Sequence, residues 1–151
     1  MTPVDRPSTP SAGPELPFFV YGTLRPGEVN HDLFLRGRTA AEVPARLPDA
    51  VLYDGPGYPY AVQRAGGEVV GELVTPAPGR HPELLAELDR LEEYYGPGLV
   101  RNLYERVVRR VLLADGGAVE AWVYLAAPPL ARRLTTTATP IPTGNWLHPR
   151  P

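Results

Sequence analysis

Apolar residues in the first half of the chain follow a pattern that predicts a sheet. Phe18 to Tyr21 is apolar without alternation, which is typical of a strand buried on both faces. Short β-rich runs broken by Pro and Gly follow over residues 41–63. The RAGG segment at 64–67 is interpreted as the tip of a hairpin, and residues 68–76 as a further strand in which Gly71 marks a bulge.

Two segments carry helical signals. His31 to Arg36 predicts a short helix with Asn30 as its cap. The stronger signal runs from His81 to Tyr95, where leucines recur at helical spacing and Gly96 is suited to close the C-terminus.

One acid of the longer helix falls on its apolar side. At about 100° per residue, with Leu88 at zero, four leucines fall within about 60° of that position. They are Leu84, Leu85, Leu88 and Leu91. Glu92 falls at about +40°, inside this stripe, whereas Glu93 falls at about +140°, away from it. Burial raises the pKa of a carboxyl group and so suits a general acid or base. The alternative is a structural ion pair between Glu92 and Arg106 or Arg109.

The last third of the chain predicts a β-hairpin. Tyr104 to Leu113 and Ala118 to Ala126 are β-rich, and the Asp-Gly-Gly sequence at 115–117 favours a tight turn between them. Several strands with one or two helices indicate an α+β fold, and we expect a mostly closed, barrel-like sheet.

Composition and charge limit the domain organisation and the partners. The Pro-rich opening over residues 1–16 predicts a disordered leader, followed by one domain over 17–147 and a tail over 148–151. The formal net charge is −2 and cations are not clustered, which argues against a nucleic-acid partner. No apolar run approaches the length of a membrane span, and the opening lacks a secretory signal, so a cytoplasmic location is expected.

Missing residue types narrow the chemistry. The chain has no cysteine and no lysine, and Ser8 and Ser11 in the predicted leader are its only serines. Thiolate, Schiff-base and serine nucleophiles are therefore excluded from the folded part. His31, His81 and His148 are far apart and lack metal-ligand spacing, so no metal site is predicted. The expected proton carrier is a carboxylate, assisted by tyrosines.

The first strand runs directly into Tyr21-Gly22-Thr23-Leu24. A glycine at the end of a buried strand allows the backbone to turn sharply and to approach a ligand closely. Successive N–H groups of such a turn can then bind an anion, for example a carboxylate. By itself this short motif also fits an ordinary turn.

The segments FVYGTLRPG and LDRLEEYYG together resemble the gamma-glutamylcyclotransferase family, including its AIG2-like branch. The family pattern is a strand leading into Tyr-Gly-Ser/Thr-Leu, a helix ending in LDxxE, and a tyrosine-containing strand. The matching residues here are Tyr21 to Leu24, Leu88 to Glu92 and Tyr104 to Val108. Weaker similarities are Gly57-Tyr58-Pro59, Gly71-Glu72-Leu73, Trp122-Val123-Tyr124 and Thr143-Gly144-Asn145-Trp146. The resemblance covers residues 17 to 147.

The resemblance implies a small mixed β-barrel flanked by one or two main helices, and an enzyme of lyase or transferase type. Members release 5-oxoproline and an amine from gamma-glutamyl compounds by attack of the substrate's own α-amine. Glu92 is then expected to act as general base and acid. Tyr21, Gly22, Thr23, Leu24 and Tyr104 are expected to line the substrate site. No cofactor and no metal are implied, and the expected partner is a gamma-glutamyl compound, either free, such as a gamma-glutamyl amine, or linked to a carrier.

Two departures from the family pattern affect these expectations. Members often have glycine directly after the catalytic glutamate, whereas this chain has Glu93, which favours a helix that continues further. The segment 94–103 is longer than the common link and is a candidate part of a lid. The alternative function is a non-catalytic small-molecule binding module on the same barrel.

Overall fold

The computed structural model describes residues 15–147. Five strands form a closed barrel in the order β1-β3-β2-β4-β5, with β1 antiparallel to β3 and parallel to β5. Their bounds are β1 Phe18–Val20, β2 Thr39–Asp54, β3 Pro59–Pro76, β4 Tyr104–Leu113 and β5 Ala118–Ala126. The predicted α+β fold with a small mixed β-barrel is confirmed. Nearly all of the predicted leader 1–16 and all of the predicted tail 148–151 lie outside the described residues, so this domain division stays a prediction.

In the part of the chain that the structure describes, two α-helices accompany the barrel. α1 spans His81–Leu91 and α2 spans Pro128–Thr137, while His31–Leu35 forms one short stretch of π-helix. The sequence patterns did not single out α2, because a run of β-branched threonines near its end disfavours helix. No helix within residues 15–147 is long and apolar enough to cross a membrane.

Strands β2 and β3 correct the prediction of several short strands. They are long antiparallel partners, and their hairpin turn is the segment 55–58 rather than RAGG. Residues 64–67 instead bulge out within β3, since Pro48 pairs with Glu68 while Ala50 pairs with Gln63. The backbone N–H of Gly66 donates to the Asp49 side chain at 2.9 Å, which closes this bulge.

Gly71 lies in regular pairing opposite Ala45 and is not a bulge. A Cβ at position 71 would collide with the carbonyl oxygen of Val20 and would lie 2.9 Å from Cζ of Phe19. Glycine is therefore required here because the end of β1, the antiparallel neighbour of β3, leaves no room for a side chain at this position.

The short strand β1 contributes to two apolar clusters, since successive side chains of a strand point to opposite faces. Phe18 and Val20 pack with the buried leucines of α1, in the layer between the barrel and the helix. Phe19 packs with Leu52, Val69 and other residues of the barrel interior. All three residues of β1 are buried, which confirms the prediction from its unbroken apolar sequence. The end of β1 is thereby held rigidly where the barrel meets α1.

Candidate active site

A cavity of about 320 Å³ lies at the end of β1, between the barrel and the C-terminal end of α1. It is lined by all six residues predicted for the site: Tyr21, Gly22, Thr23, Leu24, Glu92 and Tyr104. Three segments distant in sequence therefore meet at one cavity. Sequence reasoning did not assign the other polar lining residues, which are Asn30, Tyr58, Glu93 and Tyr124. Tyr58 and Tyr124 lie in segments that resemble the family more weakly. This resemblance was the sequence signal that could have assigned them to the site.

The end of α1 sets the position of Glu92. The helix was predicted to continue to Tyr95, but it ends at Leu91 and Glu92 is its C-cap. The N–H of Glu93 donates to the carbonyl of Arg90, and the N–H of Tyr94 donates to that of Asp89. This pair of bonds is a Schellman motif. Its left-handed position is filled by Glu93, with φ +53°, where glycine is usual. The expectation that Glu93 prolongs the helix is therefore wrong.

The carboxyl group of Glu92 lies in a low-dielectric environment. Burial, followed by repulsion from Glu93, raises the pKa of Glu92 from its ordinary value of 4.5 to about 7. The ion pair considered as an alternative is absent within residues 15–147. Arg106 pairs instead with Asp89 at 2.8 Å, and Arg109 donates to Gln63. Glu92 is thus a half-buried acid without a cationic partner among the described residues.

The loop after β1 faces the same cavity. Gly22 has no unusual φ, but a Cβ there would lie 2.7 Å from Cδ of Pro59, so only glycine lets these two segments touch. Within residues 15–147, the backbone N–H groups of Gly22, Thr23 and Leu24 have no hydrogen-bond acceptor. Unpaired backbone donors in a cavity wall are suited to bind an anionic group.

Arg25 anchors this loop to the body of the protein. Its guanidinium is buried and donates two hydrogen bonds to Glu72 of β3, at 2.7 and 3.0 Å, and a third to Asn145 at 2.7 Å. Asn30 adds a second link, because its side chain donates to Oγ1 of Thr23 at 2.8 Å. Asn30 was predicted as a helix cap, but its side chain makes no capping bond. The sequence signal for these roles was position alone: Arg25 directly follows the YGTL motif, and Asn30 lies a few residues further along the chain.

Three tyrosines share the cavity wall with Glu92. Burial and the charge of Glu92 both raise the pKa values of Tyr21, Tyr104 and Tyr124. Their hydroxyl groups donate to the carbonyl of Tyr124, the carbonyl of Pro59 and the carboxylate of Asp89, respectively. These phenols therefore stay protonated at neutral pH, whereas Glu92 can exchange a proton there.

Asp89, one turn before Glu92, ties α1 to the sheet. It accepts hydrogen bonds from Nε of Arg106 at 2.8 Å and from the hydroxyl of Tyr124 at 2.7 Å. The Arg106 guanidinium lies over the ring of Trp122 at 4.2 Å and near that of Tyr94 at 5.1 Å. This network holds the C-terminal end of α1 against β4 and β5. Among the described residues, no group of three or more His, Asp or Glu side chains could hold a metal ion.

The longer link after α1 is an ordered loop. Asn102 is buried and accepts from the N–H of Tyr95, while its amide donates to the carbonyl of Gly96 and to Glu105. Glu105 also accepts from the N–H of Gly98 at 3.1 Å. Within the segment 94–103 only Leu103 lines the cavity, so the role of this segment as part of a lid stays a prediction.

Comparison with known proteins bears on the family and the fold of the chain. A family model described as gamma-glutamyl cyclotransferase, AIG2-like, matches residues 18–148. A curated relative, the gamma-L-glutamyl-butirosin B gamma-glutamyl cyclotransferase of Niallia circulans, is 36% identical over 107 residues. That match covers 71% of this chain and 64% of the relative, so it spans less than two thirds of the relative's length.

Solved structures have the same fold. A protein from Arabidopsis thaliana is 29% identical, with 74% of this chain and 61% of that chain covered and a TM-score of 0.56. YkqA from Bacillus subtilis matches 87% of this chain and 39% of its own, with 24% identity and a TM-score of 0.59. An AIG2-like protein from Mus musculus matches 89% of this chain and 96% of its own, with 20% identity and a TM-score of 0.56. The last two likenesses bear on the fold alone.

Proposed function

Because the chain belongs to the AIG2-like gamma-glutamyl cyclotransferase family, we propose that it is an enzyme that converts a gamma-glutamyl compound into 5-oxoproline and a free amine. The relative from Niallia circulans is named for this reaction on gamma-L-glutamyl-butirosin B. The observation that carries the proposal is the unpaired acid Glu92 in the same cavity wall as the N–H groups of residues 22–24.

The proposed reaction needs no nucleophile from the protein. The Glu92 carboxylate removes a proton from the α-ammonium of the gamma-glutamyl group. The α-nitrogen then attacks the γ-carbonyl carbon, and the new carbon–nitrogen bond closes a five-membered ring. When the original amide bond breaks, Glu92 returns the proton to the departing nitrogen. The ring nitrogen, which carries two protons after the attack, loses one of them to solvent and becomes the lactam N–H. With a pKa of about 7, Glu92 is suited to both steps near neutral pH.

The loop after β1 is proposed to hold the substrate in place. Its free N–H groups at Gly22, Thr23 and Leu24 would bind the α-carboxylate, and the pairing of Arg25 with Glu72 keeps the loop rigid. The cavity wall also includes the exposed residues Val29 and Glu93, so the leaving amine can extend toward solvent. This arrangement suits an amine that is larger than the cavity, including a carrier-linked one. A cytoplasmic location stays a prediction.

Incubation with a panel of gamma-glutamyl amines and gamma-glutamyl amino acids tests the proposal, with 5-oxoproline measured by mass spectrometry. Turnover of at least one compound is expected, and Glu92→Gln should be folded but nearly inactive. Glu120→Gln is the matched control, since Glu120 is an exposed acid on β5 outside the cavity. Full activity in Glu92→Gln would refute the role of Glu92. Binding of a panel compound without any turnover would favour the non-catalytic module.

A further inference from the structure

The cavity contains a second carboxylate that the proposed reaction does not use. Glu93 lines the cavity beside Glu92 and is exposed to solvent. Within the described part of the chain, its side chain has neither a hydrogen bond nor an ion pair. The described lining residues include no arginine and no histidine, so the negative charge of the wall is not neutralised from within the cavity.

Aromatic side chains share the cavity wall with this charge. Tyr58 lies in the cavity wall and meets Tyr60 edge to face, with ring centroids 5.5 Å apart. Burial, followed by the interaction with Tyr58 and by a smaller contribution from the charge of Glu93, raises the pKa of Tyr60 to about 12. The positive charge of Arg133 in α2 lowers the pKa of Tyr60, but Arg133 does not line the cavity. Carboxylates combined with aromatic faces favour ammonium groups.

The fold itself gives no reason for an acid at position 93. The Schellman motif requires a left-handed backbone there, which glycine adopts most easily. The two bonds that fix Glu93, from its N–H to Arg90 and from Leu103 to its carbonyl, involve only its backbone. The side chain is thus free to act on what enters the cavity.

We propose that Glu93 selects gamma-glutamyl compounds whose leaving amine carries an ammonium group, in addition to the α-ammonium of the gamma-glutamyl group. Conjugates of diamines are the example. This inference rests on the proposed function. In that reaction the α-carboxylate of the substrate lies at the loop of residues 22–24, and its α-ammonium lies at Glu92. The remainder of the substrate then passes the exposed Glu93, where an additional ammonium group gains attraction from the carboxylate and from Tyr58.

Two conjugates of nearly equal size test this selection. Gamma-glutamyl-1,3-diaminopropane keeps a free ammonium group at the position where gamma-glutamyl-butylamine has a methyl group. The wild type should show a higher kcat/KM for the diamine conjugate, by about fivefold, as expected of a partly exposed charge pair. Glu93→Gln should reduce this ratio to near one, whereas Glu120→Gln should leave it unchanged. Any effect of Glu93 on the pKa of Glu92 applies to both conjugates and cancels in the ratio.

Glu93→Gly controls for folding, because glycine suits the backbone at this position. It should unfold at the same temperature as the wild type or higher, and it should lose the preference as Glu93→Gln does. An equal kcat/KM for the two conjugates in the wild type would overturn the inference. So would a preference that survives in both Glu93 variants.

A binding measurement separates this inference from the proposed function. In a Glu92→Gln background, calorimetry should show about fivefold tighter binding of the diamine conjugate, and this difference should vanish in the Glu92→Gln/Glu93→Gln double variant. If the wild type turns over neither conjugate but this binding preference is present, the proposed function fails and the selection by Glu93 stands. If the wild type turns over both conjugates but shows no preference in rate or binding, the proposed function stands and the selection by Glu93 fails.

Discussion

The wild type should lose stability as pH rises from 4.5 to 7, and replacement of Glu92 by glutamine should abolish this loss. In the folded state the pKa of Glu92 is raised from 4.5 to about 7, mainly by burial. Below pH 4.5 the group is protonated in both the folded and the unfolded chain, so it has little effect on stability. As pH rises from 4.5 to 7, the unfolded chain releases the proton first, and the free energy of unfolding of the wild type falls.

The size of this effect follows from the same two pKa values. At about 1.4 kcal/mol for each tenfold change in proton affinity, the ionised carboxylate costs the folded state about 3 kcal/mol above pH 7. Glutamine has nearly the shape of the protonated acid and does not titrate. Glu92→Gln should therefore match the wild type near pH 4.5 and exceed its free energy of unfolding by about 3 kcal/mol at pH 8.

Urea unfolding followed by circular dichroism at pH 4.5, 5.5, 6.5 and 8 measures this difference. Groups that titrate in both proteins cancel in the comparison, and Glu120→Gln should show a difference that does not change with pH. A constant difference between Glu92→Gln and the wild type across the whole range would mean that Glu92 has an ordinary pKa. The argument for a base that works near neutral pH would then be lost.

Two other substitutions test the support of the loop after β1. Arg25→Gln leaves the half-buried Glu72 carboxylate without its bidentate partner, so the free energy of unfolding should fall by about 3 kcal/mol in urea titrations; a change below 1 kcal/mol would contradict a structural role for the pair. Gly22→Ala places a methyl group 2.7 Å from Cδ of Pro59, so the loop should shift and the KM for an accepted gamma-glutamyl substrate should rise at least tenfold. An unchanged KM in Gly22→Ala would show that contact between the loop and Pro59 does not shape the site.

Patterns that depend on near neighbours in sequence were predicted well. The bounds of β4 and β5 match the prediction, because two β-rich runs joined by an Asp-Gly-Gly turn specify a hairpin locally. The buried face of α1 follows from leucines one helical turn apart. Glu92 was singled out for the same reason, since its position relative to that stripe depends only on the spacing within one helix.

The errors arose where distant parts of the chain decide the outcome. Prolines in β2 were interpreted as breaks between short strands, yet Pro44 and Pro48 lie within one long strand. Among its described pairings, β2 meets β4 only at Ala45 and Arg46, so the missing N–H groups of these prolines break no ladder bond on that side. The end of α1 was misplaced because the backbone of Glu93 is held by Leu103, ten residues further along the chain.

The sequence by itself determined which side chains can perform chemistry. It has no lysine or cysteine, it places an acid on the apolar side of a helix, and it ends a buried strand in Tyr-Gly-Thr-Leu. Only the tertiary structure decided that these elements share one cavity and that Asp89, rather than Glu92, takes Arg106 as its partner. The physical reason is that a residue's type sets the charge it can carry, whereas burial and pairing by the rest of the fold set its proton affinity.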